Sequence, residues 1–293
     1  MNSESSSHLD EQQIEEQMSP KLTQVRFVMA DTETTGLNPE IDRVIELAMR
    51  NWSVDSTLQW GDRYECLFDP GMKIPPVAMA THHITNKMLE GCPSLESEQA
   101  KIIDFVGDAP LVAYNADYDK SMLPFLQNKR WIDVQRLAMN VWHIGQLNED
   151  GFALTSFKQQ ELRYWLGFYE VDGDAHRADA DIQVTGLIWN KGIRQLLENG
   201  FPDDYDTFLF FLSSPIQHKT IPFGPFSGQK PEELSTDQIR SMFNSEGRYF
   251  AGYQKFDILD LLRPILDKRM IQGQKIRPPA TNSRSFQSNR VNS

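Results

Sequence analysis

The chain has 293 residues, a formal net charge of −12, and a composition that is 40% hydrophobic and 11% aromatic. This composition is sufficient for a folded core, and the acidic balance argues against a protein that coats nucleic acid, because such proteins usually present a basic surface. It does not exclude an enzyme that handles one strand end and uses metal ions to offset the charge.

Targeting signals and cysteine usage point to the cytoplasm. No apolar run approaches the roughly 20 residues that span a bilayer, and residues 1–20 contain no apolar segment of the secretory type. Cys66 and Cys92 are the only cysteines, which suits a reducing compartment and matches no metal-ligand pattern. The sequence therefore predicts a cytoplasmic protein without membrane contact, and it leaves a homodimer open.

Strands and helices alternate along most of the chain. Apolar runs predict strands at 25–30, 43–54, 64–68, 111–114 and 131–134. Helical periodicity and capping residues predict helices at 94–106, 120–127, 135–143, 156–166 and 178–198, with Ser156 and Gln159 as a capping box for the fourth. This order indicates an α/β sheet in which the first three strands form an antiparallel meander at one side.

Composition divides the chain into four parts. Residues 1–20 are polar and aperiodic and are expected to be a disordered tail, and residues 21–200 are expected to form the main domain. Helices predicted near 203–212, 236–244 and 258–268 indicate a small C-terminal domain over 201–271. Residues 272–293 carry basic but no acidic side chains and are expected to be a second disordered tail.

The first predicted strand leads directly into Asp31-Thr-Glu-Thr-Thr-Gly-Leu37. Side chains two positions apart on a strand share a face, so Asp31 and Glu33 are expected to project together from the strand's carboxyl end. Two adjacent carboxylates repel each other unless a proton or a cation lies between them, and Mg²⁺ prefers oxygen ligands of this kind. Taken alone, the pair also fits an ordinary acidic turn.

Two further polar segments stand where predicted elements meet. Asn115 and Asp119 follow a strand, at the end where open α/β sheets place their ligands. His176 and Asp181 lie at the start of the long helix, and they can converge only if His176 belongs to the preceding loop, since helical positions five apart differ by about 140°. Each segment alone fits ordinary capping or first-turn residues.

Read jointly, the three segments resemble the DEDDh exonucleases, the family of the proofreading subunit of bacterial DNA polymerase III. They match it in order and in spacing. His82 occupies the His position of a segment, His-x-Ile-Thr, that these enzymes carry between the first two motifs, whereas Tyr114 stands where many members carry His. The sequence beyond residue 200 resembles the exonuclease X branch.

The resemblance implies a ribonuclease H-like α/β fold, with a mixed five-stranded sheet flanked by helices and a small C-terminal helical appendage. It implies 3′→5′ exonuclease activity with two Mg²⁺ or Mn²⁺ ions held by Asp31, Glu33, Asp119 and Asp181. Four carboxylates are sufficient for two ions in phosphodiester hydrolysis. His176, whose ordinary pKa lies near 6.5, can act as the general base at neutral pH.

The expected partner is nucleic acid, namely single-stranded DNA or 3′ ends, with RNA as an alternative. By resemblance Leu37 is expected to wedge against the terminal base, although simple packing is an equal alternative. Thr32, His82 and Asn115 are further expected substrate contacts. Two rival functions remain: an exoribonuclease, because no residue is diagnostic for the 2′-OH, and a non-catalytic nucleic-acid-binding module.

Overall fold

The structure is a computed structural model that describes residues 19–54, 61–170, 177–244 and 252–276. Most of the two predicted disordered tails lies outside these residues, and so does His176. Contacts between residues divide the chain into two compact units, Met1–Gly228 and Gln229–Ser293. No described helix combines the length and the apolar character needed to cross a bilayer.

The first unit contains the sheet and most of the helices. Its strands are β1 (Phe27–Thr34), β2 (Val44–Trp52), β3 (Arg63–Leu67), β4 (Leu111–Ala113) and β5 (Trp131–Asp133). Its α-helices are α1 (Pro76–His82), α2 (Leu95–Val106), α3 (Ala116–Met122), α4 (Val134–Val141), α5 (Gln159–Trp165), α6 (Ala178–Glu198) and α7 (Tyr205–Ser213). Short 3₁₀ turns occur at Leu22–Gln24, Asn86–Leu89, Pro124–Leu126 and Gly224–Phe226.

The five strands form one mixed sheet in the order β3-β2-β1-β4-β5. The first three strands pair antiparallel, as the predicted meander requires, and β4 and β5 add in parallel to β1. The start of β1 is buried on both faces because it lies at the centre of the sheet. The predicted ribonuclease H-like α/β fold with a mixed five-stranded sheet is thereby confirmed.

Apolar cores cover both faces of the sheet. Alternate residues of β1 point to opposite sides: Phe27 and Met29 join the core beneath α4 and α6, whereas Val28 and Ala30 join the core beneath α2 and α3. The position of α6 depends on a close approach to β2. A Cβ at Gly186 would lie 2.4 Å from the Trp52 ring, so a larger residue there would displace the helix.

Helix α7 belongs to the first unit, although the sequence placed the domain boundary at residue 200. Phe208 and Leu212 are buried in the same core as α6, and the Phe208 ring packs edge-on against Trp189 with centroids 5.5 Å apart. Arg136 of α4 donates to the carbonyls of Leu212 and Ser214 at the end of α7. These contacts place α7 in the first unit, which ends at Gly228.

The second unit is helical where the structure describes it. It contains a 3₁₀ turn at Pro231–Glu233, α8 (Thr236–Asn244) and α9 (Gly252–Ile276). Arg269 of α9 donates to the backbone carbonyls of Glu232 (2.8 Å) and Leu234 (2.5 Å), which ties the turn to the helix. Its small core consists of Leu234, Ile239, Met242, Ile258 and Leu262.

Candidate active site

Asp31 and Glu33 lie within β1 rather than beyond its end. The prediction that the strand stops at Ala30 was wrong, because β1 stays paired with β2 through Thr34 and places Glu33 opposite Glu46. Both acidic side chains are half-buried and alternate with buried residues, so they share one face, the one that α6 covers. A register shift after Glu33 marks a β-bulge, a feature common beside active sites.

The first turn of α6 brings a third carboxylate to this face. Asp181 is buried, and its carboxylate lies with those of Asp31 and Glu33 so that one oxygen from each is within 4.8 Å of the others. We call these three residues the acidic cluster. Three converging carboxylate oxygens form the hard donor set that Mg²⁺ and Mn²⁺ prefer, so the residues present fit a divalent metal.

Asp119 lies next to the acidic cluster but outside the group of three. The predicted helix began at residue 120, whereas α3 begins at Ala116 and carries Asp119 in its first turn. The Asp119 carboxylate is buried and accepts a hydrogen bond of 2.8 Å from Thr32 Oγ1. Because Thr32 lies between Asp31 and Glu33 in β1, this hydrogen bond places Asp119 at the edge of the same site, where its charge raises the pKa of Asp31.

Crowding of the carboxylates disfavours their charged forms. Burial, followed by the charges of Asp119, Asp181 and Glu33, raises the pKa of Asp31 well above its ordinary value. Burial and the charge of Asp181 raise the pKa of Glu33 to about 9. Burial raises the pKa of Asp119 to about 7, although the hydrogen bond from Thr32 opposes this shift. A bound cation would reverse this repulsion, because it favours the ionised form of every carboxylate around it.

Two ion pairs attach the start of α6 to β2. Arg177 Nη2 lies 2.5 Å from Glu46 Oε1, and the same carboxylate accepts the backbone N–H of Ala178 at 3.1 Å. At the second residue of the helix, Asp179, both carboxylate oxygens accept from Arg50 at 2.7 Å each. These pairs fix the first turn of α6, which carries Asp181.

Two of the predicted substrate contacts are accessible. Leu37 is 84% exposed, which excludes the packing alternative for this side chain. Asn115 is exposed as well, and its backbone adopts the left-handed conformation with φ of 62°. The Asp133 carboxylate accepts the Asn115 N–H at 3.0 Å and so holds this uncommon backbone in place.

The other two predicted contacts, Thr32 and His82, are buried. Thr32 is 7% exposed, and its hydroxyl orients Asp119 instead of facing solvent. His82 is 2% exposed, and its Nδ1 accepts the backbone N–H of Ile84 at 3.0 Å. Thr32 therefore supports Asp119 in this position, and the substrate contacts expected of Thr32 and His82 stay predictions.

A hydrogen-bonded turn holds the segment that carries Leu37. The carbonyl of Gly36 accepts from Thr34 Oγ1 at 2.7 Å and from the Tyr118 hydroxyl at 2.9 Å. A Cβ at Gly36 would lie 2.5 Å from the Asp42 carboxylate, so a larger residue there would displace this carboxylate, which accepts hydrogen bonds from Thr35 Oγ1 and the Asn38 N–H. The exposed Leu37 side chain therefore follows a turn that hydrogen bonds from β1 and α3 hold in place.

Sequence reasoning missed the supporting residues Glu46, Arg50, Tyr118 and Gln160. The sequence did contain a signal for Glu46 and Arg50. Both are charged residues in β2, which is otherwise largely apolar and is buried on both faces. Charged residues are almost never fully buried unless they are paired. His176, the predicted general base, lies outside the described residues; Arg177, its neighbour in the chain, is the first described residue after it.

Comparison with known families and proteins gives consistent matches. The family model RNase_T, described as an exonuclease, matches residues 28–188, which is more than half of the chain. DNA polymerase III PolC-type from Staphylococcus haemolyticus is 27% identical over 189 residues, covering 63% of this chain and 12% of that protein. Its counterpart from Bacillus cereus is 26% identical over 181 residues, covering 61% and 12%. The matched region is thus a small part of these longer relatives.

The solved structures share less sequence identity with this chain than the PolC-type relatives do. E. coli exonuclease I in complex with a dT13 oligonucleotide has 21% identity and a TM-score of 0.48, covering 60% of this chain and 42% of that chain. Exonuclease X in complex with 5′-overhanging duplex DNA has 24% identity and a TM-score of 0.43, covering 62% of this chain and 98% of that chain.

Proposed function

This chain belongs to the RNase_T family of exonucleases, as its three acidic segments predicted, and from that premise we propose that it is a metal-dependent 3′→5′ exonuclease. The proposed substrate is the 3′ end of DNA, with single strands favoured and nucleoside monophosphates released. The observation that carries the proposal is the acidic cluster, whose three carboxylates converge within 4.8 Å.

The proposed cofactor is a pair of Mg²⁺ or Mn²⁺ ions, for which Asp31, Glu33, Asp119 and Asp181 are the ligands. Bound there, two ions would activate a water molecule and stabilise the leaving 3′ oxygen. The raised pKa values of Asp31, Glu33 and Asp119 support this assignment, because carboxylates that repel one another in a half-buried site gain most from a cation between them.

The remaining roles fall to other side chains. His176 takes the proton from the attacking water, since an imidazole is the side chain whose ordinary pKa suits this task at neutral pH. Leu37 presents an exposed apolar side chain to the terminal base, and the exposed amide of Asn115 binds the terminal nucleotide. Thr32 orients Asp119 through its hydroxyl.

DNA is the proposed substrate class because the PolC-type relatives are named as DNA polymerases. RNA remains the competing substrate, since the 2′-OH is the group by which proteins distinguish the two. The decisive experiment uses linear DNA and RNA of one sequence, each labelled at the 5′ end, together with circular single-stranded DNA. Each substrate is incubated with the full chain in Mg²⁺, in Mn²⁺ and in excess chelator.

We expect a ladder of progressively shortened 5′-labelled DNA in either metal, no cleavage in chelator, and no cleavage of the circle. Asp31→Asn should be inactive, and it serves as the control for contaminating nucleases. Faster digestion of RNA would make the protein an exoribonuclease. Binding of DNA without hydrolysis in either metal would support the non-catalytic module and overturn the proposal.

A second measurement tests His176 as the general base. The wild-type hydrolysis rate should rise with pH through the range in which an imidazole loses its proton. The pH–rate profile of His176→Ala should lack this rise, and the variant should hydrolyse about 10²–10⁴-fold more slowly. Because His176 is proposed as a base and not as a ligand, Mn²⁺ affinity measured by calorimetry should be retained in His176→Ala. Loss of metal binding in that variant would contradict the assignment.

A further inference from the structure

The buried carboxylate of Asp181 is held by a side chain that none of the three acidic segments contains. Gln160 of α5 donates from Nε2 to Asp181 Oδ1 at 2.8 Å. Asp181 is 5% exposed, so this amide acts on the carboxylate in a site that largely excludes water. A carboxylate whose one oxygen is held by a donor cannot rotate freely about its Cβ–Cγ bond, and both oxygens take defined places.

The Gln160 amide is itself oriented by a buried cation. Arg163, one turn along α5 and 7% exposed, donates from Nη1 to Gln160 Oε1 at 3.2 Å. An arginine has donors only, so it selects the amide orientation in which Oε1 faces Arg163 and the NH₂ group faces Asp181. The direction of the hydrogen bond to Asp181 follows from this contact.

Arg163 is attached in turn to the backbone. Its Nε donates to the carbonyl of Phe168 at 3.0 Å and its Nη2 donates to the carbonyl of Tyr169 at 3.3 Å. The planar guanidinium thus binds three acceptors in one fixed arrangement. Hydrogen bonds therefore connect the backbone to the acidic cluster through three side chains, in the order Arg163, Gln160 and Asp181.

We propose that Gln160, oriented by Arg163, is the positioning residue for Asp181 as a metal ligand. The inference rests on the proposed function, in which Asp181 binds the metal. Groups that orient a metal ligand through hydrogen bonds raise metal affinity by restricting the ligand to its binding geometry. Gln159 does not share this role, because its amide binds the backbone carbonyl of Asp181 and the hydroxyl of Thr185, each at 2.8 Å.

The test separates positioning from simple support of the fold. Gln160→Leu keeps a side chain of similar bulk and removes the amide. Gln195→Leu is the matched control, since Gln195 is also half-buried but accepts from Trp142 Nε1. Both variants of the full chain are titrated with Mn²⁺ by calorimetry without any nucleic acid, and their thermal unfolding is measured in chelator.

We expect Gln160→Leu to bind Mn²⁺ about 10–100-fold more weakly than the wild type, while Gln195→Leu binds normally and both variants unfold at similar temperatures in chelator. Wild-type Mn²⁺ affinity in Gln160→Leu would overturn the inference and leave the exonuclease proposal intact. A wild type that binds Mn²⁺ but hydrolyses no nucleic acid would instead overturn the exonuclease proposal, and the calorimetric comparison would still decide the role of Gln160.

The role of Arg163 is tested through its dependence on Gln160. If Arg163 acts through the amide, Arg163→Met should weaken Mn²⁺ binding in the wild type and add little in the Gln160→Leu background, because residues in one network are not additive. Thermal unfolding of Arg163→Met in chelator, compared with the wild type, is the folding control. Full additivity of the two substitutions would show that Arg163 does not act through Gln160.

Discussion

Arg177 and Glu46 form an ion pair of 2.5 Å in which the Glu46 side chain is only 1% exposed and that of Arg177 is 33% exposed. Removing the cation leaves a buried carboxylate that still accepts the hydrogen bond from the Ala178 N–H. We expect Arg177→Met to destabilise the protein by about 3 kcal/mol, the low end of the range for breaking a buried pair, because Arg177 keeps some access to solvent.

The exposed pair of Arg63 and Glu65 is the control for this substitution. Their charged atoms lie 3.9 Å apart and their side chains are 62% and 38% exposed, so Arg63→Met should cost less than about 1 kcal/mol. Urea unfolding at pH 7 in chelator measures both values. Equal midpoints for the two variants would show that the pair with Glu46 does not secure the first turn of α6.

The raised pKa values in the acidic cluster predict that the metal-free protein loses stability as the pH rises. Glu33 has a pKa of about 9 in the folded protein and about 4.3 when unfolded, so the folded state binds more protons between these values. The free energy of unfolding must then fall as the pH increases through this window. We expect Glu33→Gln to be more stable than the wild type at pH 8 in chelator, by at least about 1 kcal/mol.

This stability difference should shrink at pH 5, because that pH lies only slightly above the unfolded pKa of about 4.3, so keeping the carboxyl protonated in the folded state then costs little free energy. Mn²⁺ should stabilise the wild type more than Glu33→Gln at pH 8, since ligand binding to the folded state adds to its stability. Thermal unfolding with and without Mn²⁺ at the two pH values checks both points. A wild type that is more stable than Glu33→Gln at pH 8 in chelator would contradict the repulsion described for the cluster.

The predicted fold and the predicted acidic residues came from signals that are local in sequence. The α6 bounds Ala178–Glu198 and the meander could be predicted because apolar periodicity and turn residues report on short segments. The extension of β1 to Thr34 could not, because it depends on pairing with β2. The capping box predicted for α5 was wrong for a local reason: Glu161, not Gln159, accepts from the Ser156 hydroxyl and N–H, and the helix begins at Gln159.

Long-range contacts also account for the supporting residues that were missed. Gln160 and Asp181 are 21 positions apart, and Arg177 and Glu46 are 131 apart. No spacing rule connects such pairs, and a glutamine in a short amphipathic helix is an ordinary surface residue by its composition. The residues that could contact a metal were thus predictable from the motifs, whereas those that orient them required the fold.

The exposed side chain of Leu37 predicts a loss of function without a loss of stability. Leu37→Ala should change the free energy of unfolding by less than about 0.5 kcal/mol, because the side chain is 84% exposed. If Leu37 packs on the terminal base, the variant should lower kcat/KM on single-stranded DNA about tenfold, in line with about 1.5 kcal/mol for a lost apolar contact. Ile41→Ala is the control, since Ile41 is 64% exposed in the same segment. Equal kcat/KM values for the two variants would remove Leu37 from the substrate site.

The left-handed backbone of Asn115 allows its side chain to be tested apart from its conformation. At φ of 62° and ψ of 51°, glycine is free of strain, asparagine is tolerated, and alanine costs about 1 kcal/mol. Asn115→Gly should therefore retain the wild-type stability and the hydrogen bond from the residue 115 N–H to Asp133, while Asn115→Ala should be less stable.

If the Asn115 amide binds the terminal nucleotide, both variants should lower kcat/KM about 3–10-fold, which corresponds to one neutral hydrogen bond of about 0.5–1.5 kcal/mol. If Asn115 serves only the turn, Asn115→Gly should match the wild type and Asn115→Ala alone should be impaired. Steady-state hydrolysis of a short single-stranded DNA, measured beside thermal unfolding of each variant, separates the two cases. Wild-type kcat/KM in Asn115→Gly would refute the substrate contact, because that variant lacks the amide and retains the backbone that positions it.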